Sequence, residues 1–279
     1  MSRATTPVIT PHTAKLLLDG DDLITTDLGI TKNKVHRSNE GVFLNSLFVN
    51  FDTLKKIAKR EDSVYFVTER GVFQVAIHEK HYYKLVPTSR APTLEIDGIR
   101  MHRTSGTTPD IDTNSKLNAL RLNEGNVLDT CTGLGYTAIE AARRGAYKVV
   151  TIELQPNVIR IAKMNPWSIE LFTHIGIQKI LADVFYIIDF LPNGFFDYVI
   201  HDPPRHRQAR KLYSGAFYRK LSRVLRHGGK MFHYTGEPGS RYRGVNVPKG
   251  VSKRLGEAGF VDIVYHKDSM GFTCIKGSI

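Results

Sequence analysis

The chain has 279 residues, and 41% of them are hydrophobic, which is enough for a core of ordinary size. No apolar run approaches the roughly 18 residues that a membrane-spanning helix needs, so a membrane protein is not expected. Lys and Arg outnumber Asp and Glu by 39 to 27, which gives a net charge of +12. Fourteen of these cations, but only two acids, lie between His201 and Arg254. A basic block of this kind favours a polyanionic partner such as nucleic acid.

The two cysteines, Cys131 and Cys274, have no neighbours at metal-ligand spacing, so we expect neither a metal site nor a disulfide framework. The first twenty residues lack the long apolar region of a secretory signal peptide. Together these features favour a cytoplasmic protein, because disulfide-rich chains belong to oxidising compartments.

The first hundred residues favour short strands. One amphipathic helix is predicted at Phe51–Lys59, and Asp97-Gly98 is a strong hairpin signal. We therefore predict a small β-rich N-terminal domain over residues 1–104, and binding of RNA is one role open to it. The predicted strands are Val42–Val49, Val64–Val67, Val72–Ile77 and Tyr82–Val86.

Ser105–Asn114 is rich in Ser, Thr, Asp and Pro and is predicted to be a loop. Residues 105–279 then alternate between strand and helix, which predicts an α/β domain with a mostly parallel sheet and helices on both faces. The predicted strands are 126–130, 147–152, 179–182, 198–201, 230–234, 260–265 and 271–275. The predicted helices are 137–144, 157–164 and 208–225.

A strand, a glycine-containing turn and a helix follow one another around Asp129, Gly133 and Gly135. Glycines at such a turn let the backbone approach a bound nucleotide closely. Glu153 ends the next predicted strand, where an acid can accept hydrogen bonds from both hydroxyls of a ribose. Asp183 follows the third strand and can bind an adenine amino group. All three acids fall at the carboxyl ends of strands, where ligands of open α/β sheets bind.

This ordered set resembles the class I methyltransferase family over residues of roughly 115–279. The resemblance implies a Rossmann-like, mostly parallel seven-stranded sheet and S-adenosylmethionine as the cofactor. It implies a cofactor site made of Asp129, Thr130, Gly133, Gly135, Glu153, Asp183 and Val184. A nicotinamide dehydrogenase is the competing interpretation of the glycines, but Asp129 would repel a pyrophosphate. A sheet whose loops hold acids and glycines without function is a further alternative.

The fourth strand ends in Asp202-Pro203-Pro204-Arg205. This run resembles the Asp/Asn-Pro-Pro-aromatic motif of methyltransferases that modify exocyclic amino groups of bases. The resemblance implies that Asp202 and the carbonyl of Pro203 accept hydrogen bonds from the target amino group and aim its lone pair at the methyl carbon. The prolines would stiffen the loop, and the rate would come mainly from positioning. The alternative is that Pro203-Pro204 merely terminates the strand.

The chain departs from that motif at Arg205, which stands where the family has an aromatic residue. A guanidinium can itself stack on a base. Otherwise Tyr213, Phe217 or His206 could supply the ring. The basic residues that follow suit a phosphate backbone, and they are Arg207, Arg210 and Lys211. His201 and His233 lie on predicted strands and are expected to be hydrogen-bonded core histidines.

The whole pattern resembles archaeal predicted RNA methyltransferases. The resemblance implies methyl transfer to an exocyclic amino nitrogen of a base in RNA, with cytosine N4 of ribosomal RNA preferred over transfer RNA. Two alternatives stay open. One is an aminopropyltransferase of the polyamine-synthase type, which the basic residues after Asp202 disfavour. The other is a non-catalytic RNA-binding protein on the same fold, which the intact acids and glycines disfavour.

Overall fold

The computed structural model describes residues 6–206, 208–236 and 247–278. The chain divides into two compact units. The first is Met1–Asp110 with Asn157–Glu170, and the second is Ile111–Pro156 with Leu171–Ile279. The division falls a few residues after the boundary predicted at residue 104. Nothing in the sequence indicates that residues 157–170 group with the first unit.

The first unit contains two complete helices, α1 (Pro11–Asp19) and α2 (Phe51–Ala58), among its described residues. Its strands form a sheet of order β1-β7-β8, a sheet of order β4-β5-β6, a four-stranded sheet of order β12-β11-β10-β9 and the pair β2-β3. The strands are β1 (Val8–Ile9), β2 (Leu23–Ile24), β3 (Asn33–Lys34), β4 (His36–Arg37), β5 (Gly41–Leu44), β6 (Leu47–Asn50), β7 (Tyr65–Thr68), β8 (Gly71–Gln74), β9 (Ala76–His78), β10 (Tyr82–Val86), β11 (Thr93–Ile96) and β12 (Ile99–Arg100).

Local sequence explains most of these elements. The predicted strand 42–49 is a hairpin, because Asn45 and Ser46 both have positive φ and form a two-residue turn between paired Leu44 and Leu47. The hairpin predicted at Asp97-Gly98 joins β11 to β12. Helix α2 confirms the predicted helix.

Helix α1 was not predicted, although the residues at both of its ends are typical of helix termini. Thr10 accepts a hydrogen bond from the backbone N–H of Thr13, Pro11 opens the first turn, and Gly20 ends the helix with φ +105°. Leu17 of α1 and Leu54 of α2 are fully buried in one apolar core with residues of β5, β6 and β7.

The second unit is built on a seven-stranded sheet of order β15-β14-β13-β16-β17-β19-β18. The first five strands in this order are parallel, and β19 runs antiparallel to both of its neighbours, β17 and β18. This confirms the predicted α/β fold of Rossmann type. The strands are β13 (Gly125–Asp129), β14 (Ala146–Glu153), β15 (Ile177–Leu181), β16 (Phe196–His201), β17 (Leu225–Tyr234), β18 (Phe260–His266) and β19 (Gly271–Lys276).

The remaining α-helices pack around this sheet or belong to the segment shared with the first unit. They are α3 (Pro109–Leu120), α4 (Tyr136–Arg143), α5 (Pro156–Lys163), α6 (Ile169–Thr173), α7 (Val184–Ile187), α8 (Gly215–Val224) and α9 (Val247–Glu257). Short 3-10 turns lie at Pro166–Ser168, Ile188–Phe190 and Arg210–Tyr213. No helix in the described part of the chain is long and apolar enough to cross a membrane.

Two sequence predictions in this unit are wrong. The predicted loop 105–114 contains the start of α3, because Pro109 opens the helix and the Thr108 hydroxyl donates to Asp110 Oδ1 at 2.6 Å. The predicted helix 208–225 is a 3-10 turn followed by α8. Ser214 has extended backbone angles and its hydroxyl accepts a hydrogen bond from Phe217 N at 3.2 Å, so α8 begins only after it.

Candidate active site

Four carboxylates lie at the carboxyl edge of the parallel sheet. Asp129 ends β13 and Glu153 ends β14, whereas Asp183 and Asp202 follow β15 and β16 within two residues. Because these strands are parallel and adjacent, their ends share one edge. The sequence prediction that the strand-end acids come together is therefore met by the topology.

The glycine turn joins β13 to α4. Gly133 and Gly135 both have positive φ, +54° and +83°, which other residues adopt only at a cost. A Cβ at Gly135 would lie 2.7 Å from Cδ2 of Leu171. The backbone N–H of Gly133 donates to Glu153 Oε2 at 3.0 Å. The turn therefore needs glycine at Gly135 and is tied to the end of the neighbouring strand.

Glu153 is held by backbone donors on both of its oxygens. Gly133 N binds Oε2, and Gln155 N donates to Oε1 at 2.9 Å. Burial raises the pKa of the Glu153 carboxyl, and these N–H groups oppose that rise. Each carboxylate oxygen can accept a second hydrogen bond. Glu153 is thus an acceptor held in a fixed position, and its predicted contact with ribose hydroxyls stays a prediction.

Asp129 lies beneath the turn with no exposed surface. Its Oδ2 accepts a hydrogen bond from Thr151 Oγ1 at 2.7 Å. Because the Thr151 hydroxyl hydrogen is used in that bond, the Thr132 hydroxyl donates to Thr151 Oγ1, also at 2.7 Å. Oδ1 has no hydrogen-bond partner among the residues that the structure describes. Burial raises the pKa of Asp129 to about 7. Asp129 therefore supports the turn from below, and its direct contact with a cofactor stays a prediction.

Two other predicted cofactor residues also lie inside the fold. The Thr130 hydroxyl is buried and donates to His201 Nδ1 at 2.7 Å, and Val184 belongs to the apolar core. Asp183 is partly exposed and caps α7 by accepting a hydrogen bond from Phe185 N at 2.9 Å. Asp183 keeps acceptor capacity for a ligand, whereas Thr130 and Val184 support the edge through packing.

Asp202 is paired with a residue that the sequence interpretation missed. Nζ of Lys116, in α3, lies 2.5 Å from Asp202 Oδ2 and 2.7 Å from Asp112 Oδ2. The same ammonium lies 4.7 Å from the centre of the Tyr234 ring. Burial alone would lower the pKa of Lys116, but the carboxylates of Asp202 and Asp112 raise it above its usual range. The i, i+4 spacing of Asp112 and Lys116 would have indicated this ion pair if the segment had been predicted as a helix.

The loop after Asp202 is held from below by the 3-10 turn. Pro203 is buried and Pro204 exposed, and the Tyr213 hydroxyl donates to the carbonyl of Pro204 at 3.0 Å. His201 Nε2 donates to the carbonyl of Leu212 at 2.9 Å. These two bonds fix the loop against the core, so the carbonyl next to Asp202 has a defined position.

His201 and His233 are core histidines, as predicted. Both are fully buried, and their ring centres are 4.4 Å apart. The Tyr218 hydroxyl donates to His233 Nε2 at 2.9 Å, and His233 Nδ1 donates to the carbonyl of His201 at 3.3 Å. Burial lowers the pKa of His201 to about 4 and that of His233 further below its usual value. Both rings are therefore neutral near pH 7.

The predicted substrate residues separate by exposure. Tyr213 and Phe217 are buried in the core, so neither ring can stack on a base. Arg205, Arg210 and Lys211 are exposed, and the predicted Arg207 lies outside the described residues.

An exposed ring that the sequence did not single out lies beside Lys211. Tyr186, in α7, is 55% exposed, and its hydroxyl accepts a hydrogen bond from Lys211 Nζ at 3.1 Å. The same Nζ lies 5.1 Å from the centre of the Tyr186 ring. Its position three residues after Asp183 places this ring at the same edge as the acids.

The described residues contain no group of three or more His, Cys, Asp or Glu side chains that could hold a metal ion. The edge instead offers carboxylates fixed by backbone and lysine donors around a glycine turn. Such a donor set suits an organic ligand with hydroxyl, amino and cationic groups.

Comparison with known proteins agrees with this description. The family model described as Conserved hypothetical protein 95 matches residues 108–229. The uncharacterized protein MJ1233 of Methanocaldococcus jannaschii is 52% identical over 229 residues, which are 82% of this chain and 78% of that protein.

Two solved structures share the fold. A spermidine synthase in complex with the transition-state analogue AdoDATO superposes with a TM-score of 0.59 at 17% identity, over 72% of this chain and 73% of that one. The spermidine synthase of Thermotoga maritima gives 0.56 at 17% identity, over 72% of each chain. The second unit has the class I methyltransferase fold, and the chain belongs to the protein family that includes MJ1233.

Proposed function

We propose that this protein is an S-adenosylmethionine-dependent methyltransferase that modifies an exocyclic amino nitrogen of a base in RNA. The observation that carries the proposal is the joint placement of Glu153, tied to the glycine turn, and Asp202, at the end of a nearby parallel strand. One acid is fixed as an acceptor beside the turn, and the other is partly exposed with an oxygen open to a ligand.

The residues present fit the cofactor. Gly135 leaves no room for a side chain, so the turn backbone stays bare for close approach of a nucleoside. Glu153 would accept hydrogen bonds from the two ribose hydroxyls, and Asp183 from the adenine amino group. Asp129, through Thr151 and Thr132, would keep the turn in shape.

The cofactor supplies a methyl group, which leaves the sulfonium sulfur with the C–S electron pair remaining on sulfur. Asp202 Oδ1 and the Pro203 carbonyl would accept the two N–H bonds of the target amino group, so that the nitrogen lone pair forms the new N–C bond in line. Positive charge passes to that nitrogen, and a proton then leaves it for Asp202 or water. Positioning of this kind contributes most of the rate in such reactions.

An RNA substrate is supported by charge and by the exposed ring. Arg205, Arg210 and Lys211 follow Asp202 and are exposed, and Tyr186 next to Lys211 offers a surface on which a base can stack. Cytosine N4 of ribosomal RNA is our preferred target, ahead of transfer RNA, on the resemblance of the Asp202-Pro203-Pro204 motif. A small cationic substrate would not need this basic flank.

The second candidate is an aminopropyltransferase, favoured by the fold shared with the spermidine synthases over 72% of the chain. A polyamine substrate would bring an ammonium group to Asp202. Lys116 already places an ammonium 2.5 Å from Asp202 Oδ2, so a second cation there would meet like charge. This contact makes the methyltransferase the better candidate.

The test is direct. The full chain is incubated with methyl-labelled S-adenosylmethionine and RNA from a strain that lacks the gene, and digested nucleosides are analysed by mass spectrometry. We expect label in one N-methylated base that is absent from the deletion strain. Transfer from decarboxylated S-adenosylmethionine to putrescine, with no label in RNA, would contradict the proposal and favour the second candidate.

A further inference from the structure

We propose that Lys116 is a positioning residue that fixes one oxygen of Asp202 and leaves the other to accept a hydrogen bond from the substrate. The proposal rests on the proposed function, because it concerns the acid that would bind the target amino group. It adds a residue from α3, 86 positions away along the chain, to the site at the end of β16.

The ion pair is buried unequally. The side chains of Lys116 and Asp112 are 6% and 2% exposed, whereas that of Asp202 is 23% exposed. The lysine therefore cannot reach a substrate from solvent, but the carboxylate can. Any effect of Lys116 on the reaction must pass through Asp202.

The two oxygens of Asp202 differ in their contacts. Oδ2 receives the ammonium at 2.5 Å, and the hydrogen bonds that Asp202 makes with the described residues do not include one to Oδ1. Tyr234 and Asp112 hold the ammonium from its other sides. Asp202 thus presents one oxygen in a defined direction, which is what two-point recognition of an amino group requires.

The charges around Asp202 explain why a cation is needed. Asp129 and Asp112 are acids in the same region, and Tyr213 and Cys131 are further titratable groups that interact electrostatically with Asp202. Carboxylates gathered in a partly buried place repel one another. The Lys116 ammonium between Asp202 and Asp112 offsets that repulsion and holds Asp202 in place.

The same arrangement selects the chemical class of the amine. With Lys116 as its counter-ion, Asp202 suits a neutral amino group, such as that of a base, whose hydrogens need an acceptor. An aliphatic ammonium would have to share the carboxylate with a cation that is buried and cannot move away.

The activity test compares two variants that both lack Asp112, so that loss of the lysine does not leave two uncompensated acids. Asp112→Asn keeps the ammonium beside Asp202, and Asp112→Asn with Lys116→Met removes it. We expect the double variant to lose at least about tenfold in kcat near pH 6.5, with the cofactor Kd and the KM for RNA unchanged within about twofold. Lys116→Arg should recover most of the loss.

A second arm does not depend on activity. Nitrogen NMR of lysine ammonium groups is recorded on the full chain saturated with S-adenosylhomocysteine. We expect one protected ammonium resonance that disappears in the Asp112→Asn/Lys116→Met protein and shifts strongly in Asp202→Asn. No such resonance, or one indifferent to Asp202→Asn, would overturn the ion pair.

The two arms separate the possible failures. A loss of kcat that Lys116→Arg does not recover would show a merely structural lysine and overturn the proposal. Unchanged kcat in the double variant would overturn it as well. Absence of RNA methylation by the unaltered protein would instead refute the proposed function, and the NMR result would still decide whether Lys116 fixes Asp202.

Discussion

Glu153 is the residue on which the proposed cofactor binding would depend most directly, because its carboxylate is fixed by Gly133 and Gln155. An acceptor held in place loses little freedom when a ligand binds. Asp129, by contrast, acts from beneath the turn. At the scale of single residues the edge therefore contains acids with different tasks, although the sequence presents them as equivalent strand-end carboxylates.

Glu153→Ala should weaken binding of S-adenosylmethionine by at least about tenfold. Hydrogen bonds to charged groups contribute roughly 1.5–3 kcal/mol, and about 1.4 kcal/mol corresponds to a factor of ten. Isothermal titration calorimetry measures the change. Glu124→Ala, an exposed acid in the same unit, is the control and should bind normally. Unchanged affinity in a folded Glu153→Ala protein would contradict the assignment.

Asp202→Ala should retain the cofactor affinity but lose methyl transfer by orders of magnitude. The change removes both the acceptor and the orientation of the amino group, while Glu153 and Asp183 keep their places. Single-turnover transfer of labelled methyl to RNA gives the rate, and calorimetry gives the affinity. A variant that methylates RNA at nearly the normal rate would show that the proline motif is only structural.

Helix α3 shows what sequence could and could not provide at the scale of elements. The strands β13 to β16 were predicted within a few residues, because apolar runs bounded by turns determine them locally. The start of α3 was missed because Ser, Thr, Asp and Pro are typical of loops, whereas here Pro109 and the residues after it form the first turn of a helix. The contact between Lys116 and Asp202 could not be predicted, since it joins elements that only the folded sheet brings together.

The orientation of side chains was the second feature that the sequence could not predict. Phe217 lies in the helix that the sequence predicted at 208–225, and it is on the buried face of α8. A ring can therefore serve the core or a base, and its position on the helix decides which. Tyr186 escaped notice because one turn of α7 is too short to show a periodicity.

The prediction about RNA binding concerns the 3-10 turn Arg210–Tyr213. Arg210→Gln with Lys211→Gln should weaken RNA binding and flatten the dependence of log affinity on log salt. Each phosphate contact of a single strand contributes about 0.7 to that slope, so the loss should be about 1.4.

Filter binding at several salt concentrations measures this slope. Lys148→Gln with Lys267→Gln removes the same charge from exposed positions of the second unit outside the basic block and should leave the slope unchanged. If both double variants behaved alike, the basic turn would be an ordinary solvated surface and the preference for RNA would lose its main support.

At the scale of the whole molecule, the main feature is that the chain returns once from the second unit to the first. The first unit includes Asn157–Glu170, which lie between Pro156 and Leu171 of the second. Within the first unit Asn157 and Arg160 bind Glu79 at 2.9 and 2.7 Å. Trp167 Nε1 donates to the carbonyl of Leu28 at 3.0 Å.

A protein that begins at Ile111 should therefore be less stable than the second unit within the full chain. Its residues 157–170 would lose Glu79 and the Leu28 carbonyl, and α5 follows Glu153 by only three residues. Calorimetric unfolding should show a lower Tm, and S-adenosylmethionine should bind more weakly. A truncated protein with the full chain's Tm and cofactor affinity would contradict this.

The return of residues 157–170 to the first unit also constrains how such a gene can change by recombination. A single crossover that replaced the first 110 codons would leave a segment in the middle of the gene adapted to a surface that no longer exists. Both stretches must be inherited together, or change together. Among relatives such as MJ1233, we expect the positions of Glu79 and Arg160 to vary as a pair, and an unrelated N-terminal half joined to this fold to be rare.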